Sequence, residues 1–156
     1  NVAQHGGFIF LIYDDVLLAR EVEADGVLCS SIKHASEART LLSEDKIVGL
    51  HCSTQTAAQS ALALELDFVS FFAAKGGDGS LNLLNWWTSM SENPAAIEGQ
   101  FDQENCEAFV RAGATFIQAD HHIWTHPSGN VMQGVVNMLD AFERFHPQPT
   151  AKVFSN

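Results

Sequence analysis

Six times along the chain, an apolar run of five to seven residues is followed by a stretch with helical spacing. That alternation restricts the fold more than any other feature. The runs are FIFLIYD (8–14), GVLCS (26–30), KIVGLHC (46–52), DFVSFFA (67–73), AAIEG (95–99) and TFIQADH (115–121). The helical stretches are 16–22, 35–44, 53–66, 81–93, 102–113 and 130–145. Ser53 or Thr54 is a natural cap for the third, while Asp102 and Gly113 bracket the fifth. Strict βα alternation predicts a parallel sheet with crossover helices. The runs are continuously apolar, as in strands covered on both faces. An open doubly wound sheet and a (βα) barrel both satisfy this pattern. The first strand is not followed by a glycine-rich phosphate fingerprint, which weighs against a dinucleotide-binding version.

At 156 residues and 46% hydrophobic, the chain predicts one domain with a real core, spanning 1–146, and a polar tail, 147–156, with two prolines. A net charge of −11 disfavours nucleic acid, whose phosphates need a basic face. No apolar run approaches the ~18 residues of a membrane span. The start, Asn-Val-Ala-Gln-His-Gly, lacks the basic segment and long apolar run of a signal peptide. Cys29, Cys52 and Cys106 form no CxxC pair and read as core thiols of a reduced, cytoplasmic protein.

In parallel α/β folds the chemistry gathers where strands end. That rule selects Tyr13 to Asp15, Cys29 to Ser31, His51 to Ser53, Lys75 to Gly79, Glu98 to Gln100, and Asp120 to His122. The last group lies in QADHHIWTHP (118–127), whose composition suggests a metal site. Adjacent strand residues point to opposite faces, so His121 and His122 cannot both face inward if the strand continues through them. Trp86, Trp87 and the phenylalanines at 68, 71 and 72 read as packing, with Phe71 or Phe72 near enough to a strand end to line a pocket.

ADGVLCSS followed by SEARTLLSEDKIVGLHCSTQTAAQSALALELDFVSF resembles the thiamine phosphate synthase family. The Trp-Trp helix, the IEGQ turn, AGATFIQADHHIW and the opening FIFLIYDDVLLAREVEADGV extend the resemblance over nearly the whole chain. It implies a TIM-barrel-type (βα) fold, with these six units corresponding to the third to eighth of eight, and a transferase joining an aminopyrimidine diphosphate to a thiazole phosphate. It further implies Mg²⁺ beside the diphosphate, and phosphorylated thiamine precursors as ligands. Asp14 aligns with one metal carboxylate, but no acid stands near Lys33, where the second belongs. His51 replaces a family serine. Lys75 stands where a loop lysine reaches the diphosphate. The phosphate turn reads Glu98-Gly99-Gln100, leaving Gly99 and Gln100 as its binding candidates. Asp120 and His121 occupy a small-residue phosphate slot. His51, Lys75, Asp120 and His121 are therefore the catalytic candidates.

Three functions follow as expectations. The first is an inactive or repurposed family member with a degenerate Mg²⁺ and phosphate site. The second is a metal-dependent or acid–base site rebuilt from Asp14, His51, Glu98, Asp120, His121 and His122. The third is a non-enzymatic module, with homo-oligomers formed through open strand edges. A thiazole tautomerase of the same fold would need a histidine in the loop after the fourth strand, and SFFAA has none.

Overall fold

The computed structural model describes residues 8–73 and 78–146; Lys75 and the tail 147–156 lie outside them. Within them each apolar run contributes a strand: β1 (Leu11–Tyr13), β2 (Gly26–Cys29), β3 (Ile47–His51), β4 (Phe68–Phe72), β5 (Ala95–Glu98) and β6 (Phe116–Ile117). They pair in chain order, every neighbour parallel. Parallel neighbours need crossovers, supplied by α1 (Val16–Glu21), α2 (Ile32–Leu41), α3 (Gln55–Ala63), α4 (Asp78–Met90) and α5 (Glu107–Arg111). The fold is the half-barrel portion of a TIM-barrel-type α/β architecture. Two more helices, α6 (Asp120–Trp124) and α7 (Val131–Phe145), follow β6.

Local capping chemistry sets the boundaries. Asp15, Ser31, Thr54 and Asn130 each turn a side-chain oxygen onto a first-turn N–H, satisfying donors that have no carbonyl partner inside the helix. The Ser31 cap starts α2 three residues before the expected 35.

One turn recurs before every second strand. Glu23, Glu65 and Gly113 have left-handed φ values of 53°, 52° and 94°. The next residue returns its N–H to a carbonyl five positions back: Ala24 to Ala19, Leu66 to Ala61, Ala114 to Phe109. These are Schellman-type helix stops. The residue after that reaches back to the preceding strand. Asp25 accepts from the Phe10 N–H at 2.7 Å, Asp67 from Val48 at 2.7 Å, and Thr115 from Ala95 at 3.3 Å. A left-handed glutamate is strained, whereas glycine is not. Glu65→Gly should therefore stabilise the fold by about 0.5–1 kcal/mol, read as a raised urea midpoint. A lowered midpoint would show that the glutamate side chain outweighs the strain.

Alternation along the strands separates two faces. Val27, Cys29, Val48, Leu50, Val69, Phe71, Ala95 and Ile97 are buried beneath the helices. Small residues on α2 and α3 (Ala35, Ala38, Ala58 and Ala61) allow close approach. The opposite, concave face carries Leu28, Phe68, Ser70, Glu98 and Gln118, with Tyr13, Phe72 and Phe116 exposed. The expectation of two covered faces is thus corrected among the described residues: the apolar inner positions line a concavity.

Two further expectations change. Residues 102–105 form a turn in which Asp102 accepts the N–H groups of Glu104 and Asn105, and the helix starts only at Glu107. The sixth strand is two residues long, and Asp120 and His121 open a helix instead of ending a strand. α6 is held by packing: a Cβ on Gly134 of α7 would come within 2.9 Å of the Ile123 Cα.

Cys29, Cys52 and Cys106 are free and buried. Burial pushes the Cys29 thiol up to about 11 and Cys52 to about 12, and raises Cys106 as well. Such thiols are poor nucleophiles. Among the described residues no helix is long and apolar enough to cross a membrane.

Candidate functional site

Two polar clusters occupy the C-terminal ends of the strands, where parallel sheets of this kind present their chemistry. The first is built on Asp14, at the end of β1. Its N–H continues the ladder to the Leu28 carbonyl at 3.0 Å. A left-handed φ of 60° then turns the side chain toward the end of β2. There Oδ1 accepts the Ser30 N–H at 2.8 Å and lies 2.8 Å from His34 Nδ1, while Oδ2 accepts the Ser30 hydroxyl at 2.5 Å. Desolvation opposes ionisation, but the Ser30 hydroxyl, the Ser30 N–H and His34 outweigh it and hold the carboxyl at about 2, from 3.8. The carboxylate therefore has three donors already in place. The neighbouring acid, Asp15, is committed to capping α1 through the Leu18 N–H at 2.9 Å.

The second cluster spans three strands on the concave face. His51 and Ser70 are register partners across β3 and β4, and Glu98 lies two residues beyond Ala96, the partner of Ser70 on β5. Glu98 Oε1 accepts the hydroxyl of fully buried Ser70 and lies 3.3 Å from His51 Nδ1. A histidine whose Nδ1 is fixed by a carboxylate holds its ring in one orientation and presents Nε2 outward, the arrangement that general acid–base chemistry uses. Beside it, the Gly99 N–H donates to Gln118 Oε1 at 3.2 Å. The Gln100 carbonyl accepts from the Asn105 side chain at 3.2 Å.

The predicted residues thus separate. His51 stands in a built cluster, whereas Asp120 and His121 are exposed on α6, with no hydrogen bond or ion pair joining them to His51, Glu98 or Asp14 among the described residues. His122 turns against His126, ring centroids 5.1 Å apart, and His126 is engaged by Ser128 at 2.7 Å and Asn137 at 3.0 Å. The histidine-rich stretch is therefore a helix–helix joint. Among the described residues no group of three or more His, Cys, Asp or Glu side chains is placed to hold a metal ion. Ser70, His34 and Gln118 are functional positions that strand-end placement in the sequence does not select. A buried serine or a helix-borne histidine announces itself only through its partner.

The family model for thiamine monophosphate synthase matches residues 1–122. A thiamine-phosphate synthase from Erythrobacter litoralis is 28% identical over 143 residues, covering 85% of this chain and 67% of that protein. Those from Rhodospirillum centenum and Hyphomonas neptunium are 31% and 32% identical, covering 77% and 82% of this chain and 62% of each relative. The chain therefore spans about two thirds of the length of these curated relatives. In structure it is similar to a thiamine phosphate pyrophosphorylase from Pyrococcus furiosus (TM-score 0.75, 18% identity, covering 92% of this chain and 72% of that one). It is also similar to a native KDPGal structure (TM-score 0.73, 12% identity, covering 92% and 73%). At these identities the structural matches speak to the fold alone.

Proposed function

The chain belongs to the thiamine monophosphate synthase family, and from that premise we propose that it is a divergent member whose residues no longer grip a Mg²⁺-bound diphosphate. The observation that carries this is the Asp14 carboxylate, already shared among Ser30 and His34. A Mg²⁺ ion wants near-octahedral oxygen ligands. Here it would compete with three donors and meet the His34 ring in place of a second acid. The residues do not fit a resident Mg²⁺. The phosphate turn weighs the same way: Gly99 has given its N–H to Gln118, and Glu98 sets a carboxylate beside it.

Incubated with Mg²⁺, the aminopyrimidine diphosphate and the thiazole phosphate, this chain should release no pyrophosphate above the rate without protein. Turnover that Asp14→Ala abolishes would overturn the proposal.

A second reading has its own observation. The Glu98–His51 contact, with Ser70 beneath it, supports acid–base chemistry at the mouth of the half-barrel. It narrows the rebuilt site to these three residues and leaves out Asp120 and His121.

A further inference from the structure

Glu98 is the charged residue whose surroundings the fold explains least. Its side chain is 23% exposed. Oε1 serves Ser70 and His51, while Oε2 has no hydrogen-bond partner among the described residues. No lysine or arginine pairs with it among the described residues. A largely buried carboxylate is costly unless a cation or further donors compensate it. The hydrogen bonds of Ser70 and His51 to Oε1 are one source of compensation; a cation from solution is the other.

The neighbouring surface points to the second. Phe72, the register partner of Glu98, is 57% exposed. Phe116, the register partner of Ala96 on the same concave face, is 52% exposed. Faces of aromatic rings attract cations, and a net charge of −11 draws them toward the protein. A phosphate would meet the opposite arrangement, with Glu98 in front of it and the Gly99 N–H already engaged.

We propose that the concave mouth at Glu98 binds a small planar organic cation of amidinium type. One N–H donates to Glu98 Oε2, the ring lies against Phe72, and His51 presents Nε2 to the same mouth. This rests on the acid–base reading of the His51–Glu98 pair and names the ligand class for it. It stands apart from the coupling assay, because pyrophosphate release and cation binding are read independently.

The test is titration of benzamidinium into the full chain by calorimetry, with inorganic phosphate as the comparison. Benzamidinium should saturate at one equivalent, and phosphate should give no saturable heat over the same range. Glu98→Gln, which keeps the hydrogen-bonding shape and removes the charge, should weaken binding about tenfold or more. Phe72→Ala, at an exposed position, should weaken it about threefold. If Glu98→Gln does not fold, Phe72→Ala decides alone. No saturation, saturation by phosphate, or unchanged affinity in the variants that fold would overturn the proposal.

Discussion

Trp87→Ala is expected to remove about 3–5 kcal/mol of stability, against about 1 kcal/mol or less for Trp86→Ala on the same helix. Trp87 is fully buried, its ring edge-on to Phe71 at 6.3 Å and 73°, whereas Trp86 is only half-buried. The indole N–H also donates to the Asn93 carbonyl at 2.9 Å, and Asn93 in turn donates from its side chain to the Leu66 carbonyl at 3.1 Å. Truncation leaves a large void and strips a partner from the turn that leads into β5. Both losses are expensive because packed cores relax only partially. A typical domain has about 5–15 kcal/mol in all, so the variant should lie near the edge of folding. Urea unfolding followed by circular dichroism measures the difference. Equal losses for the two tryptophans would refute the view that Trp87 is the anchor of α4. The effect also reaches the mouth, since Phe71 sits between Ser70 and Phe72 on β4.

The same residues show what a linear reading can and cannot recover. The alternation of apolar runs and helical stretches led to the parallel sheet because each strand is local and continuous. Of the two caps that the sequence offers for the third helix, Thr54 takes the role. The stretch after Ile117 departs from the expectation because the apolar run TFIQADH continues the strand pattern to His121, whereas the strand ends at Ile117. Asp120 to Trp124 become helical through tertiary contact, with Ile123 pressed against the glycine of α7, which no propensity anticipates. The polar clusters have the same origin. Glu98 and His51 stand together in the six-residue strand-end set that the sequence suggests, but 47 positions separate them, and only the register through Ser70 shows that these two meet while Asp120 and His121 do not join them. Asp14 aligns with a metal carboxylate of the family. Its commitment to Ser30 depends on a left-handed turn that the sequence LIYDD does not reveal.

That turn gives the second large effect, one that depends on pH. Asp14 has its carboxyl at about 2 in the fold, against an ordinary 3.8. A group whose pKa falls on folding stabilises the protein fully above its unfolded pKa, and the contribution is lost as pH drops through the folded value. The window therefore runs from about pH 4 down to about pH 2. An undiscounted shift of this size is worth about 2.4 kcal/mol; for a side chain 27% exposed, solvent screening reduces it to about 1–2 kcal/mol. Asparagine tolerates the left-handed conformation, so Asp14→Asn isolates the charge and keeps the turn. The parent should exceed this variant by about 1–2 kcal/mol at neutral pH, and the gap should close as pH falls toward 2. Asp14→Ala should lose more, about 2–3 kcal/mol, because it adds left-handed strain and leaves the Ser30 donors without an acceptor. Urea midpoints across that pH range make the comparison. A gap between parent and Asp14→Asn that stays constant from neutral pH to about pH 2 would show that the carboxylate is not held by Ser30 and His34. It would then be available to a metal ion, and the principal objection to a family-type Mg²⁺ site would fall with it.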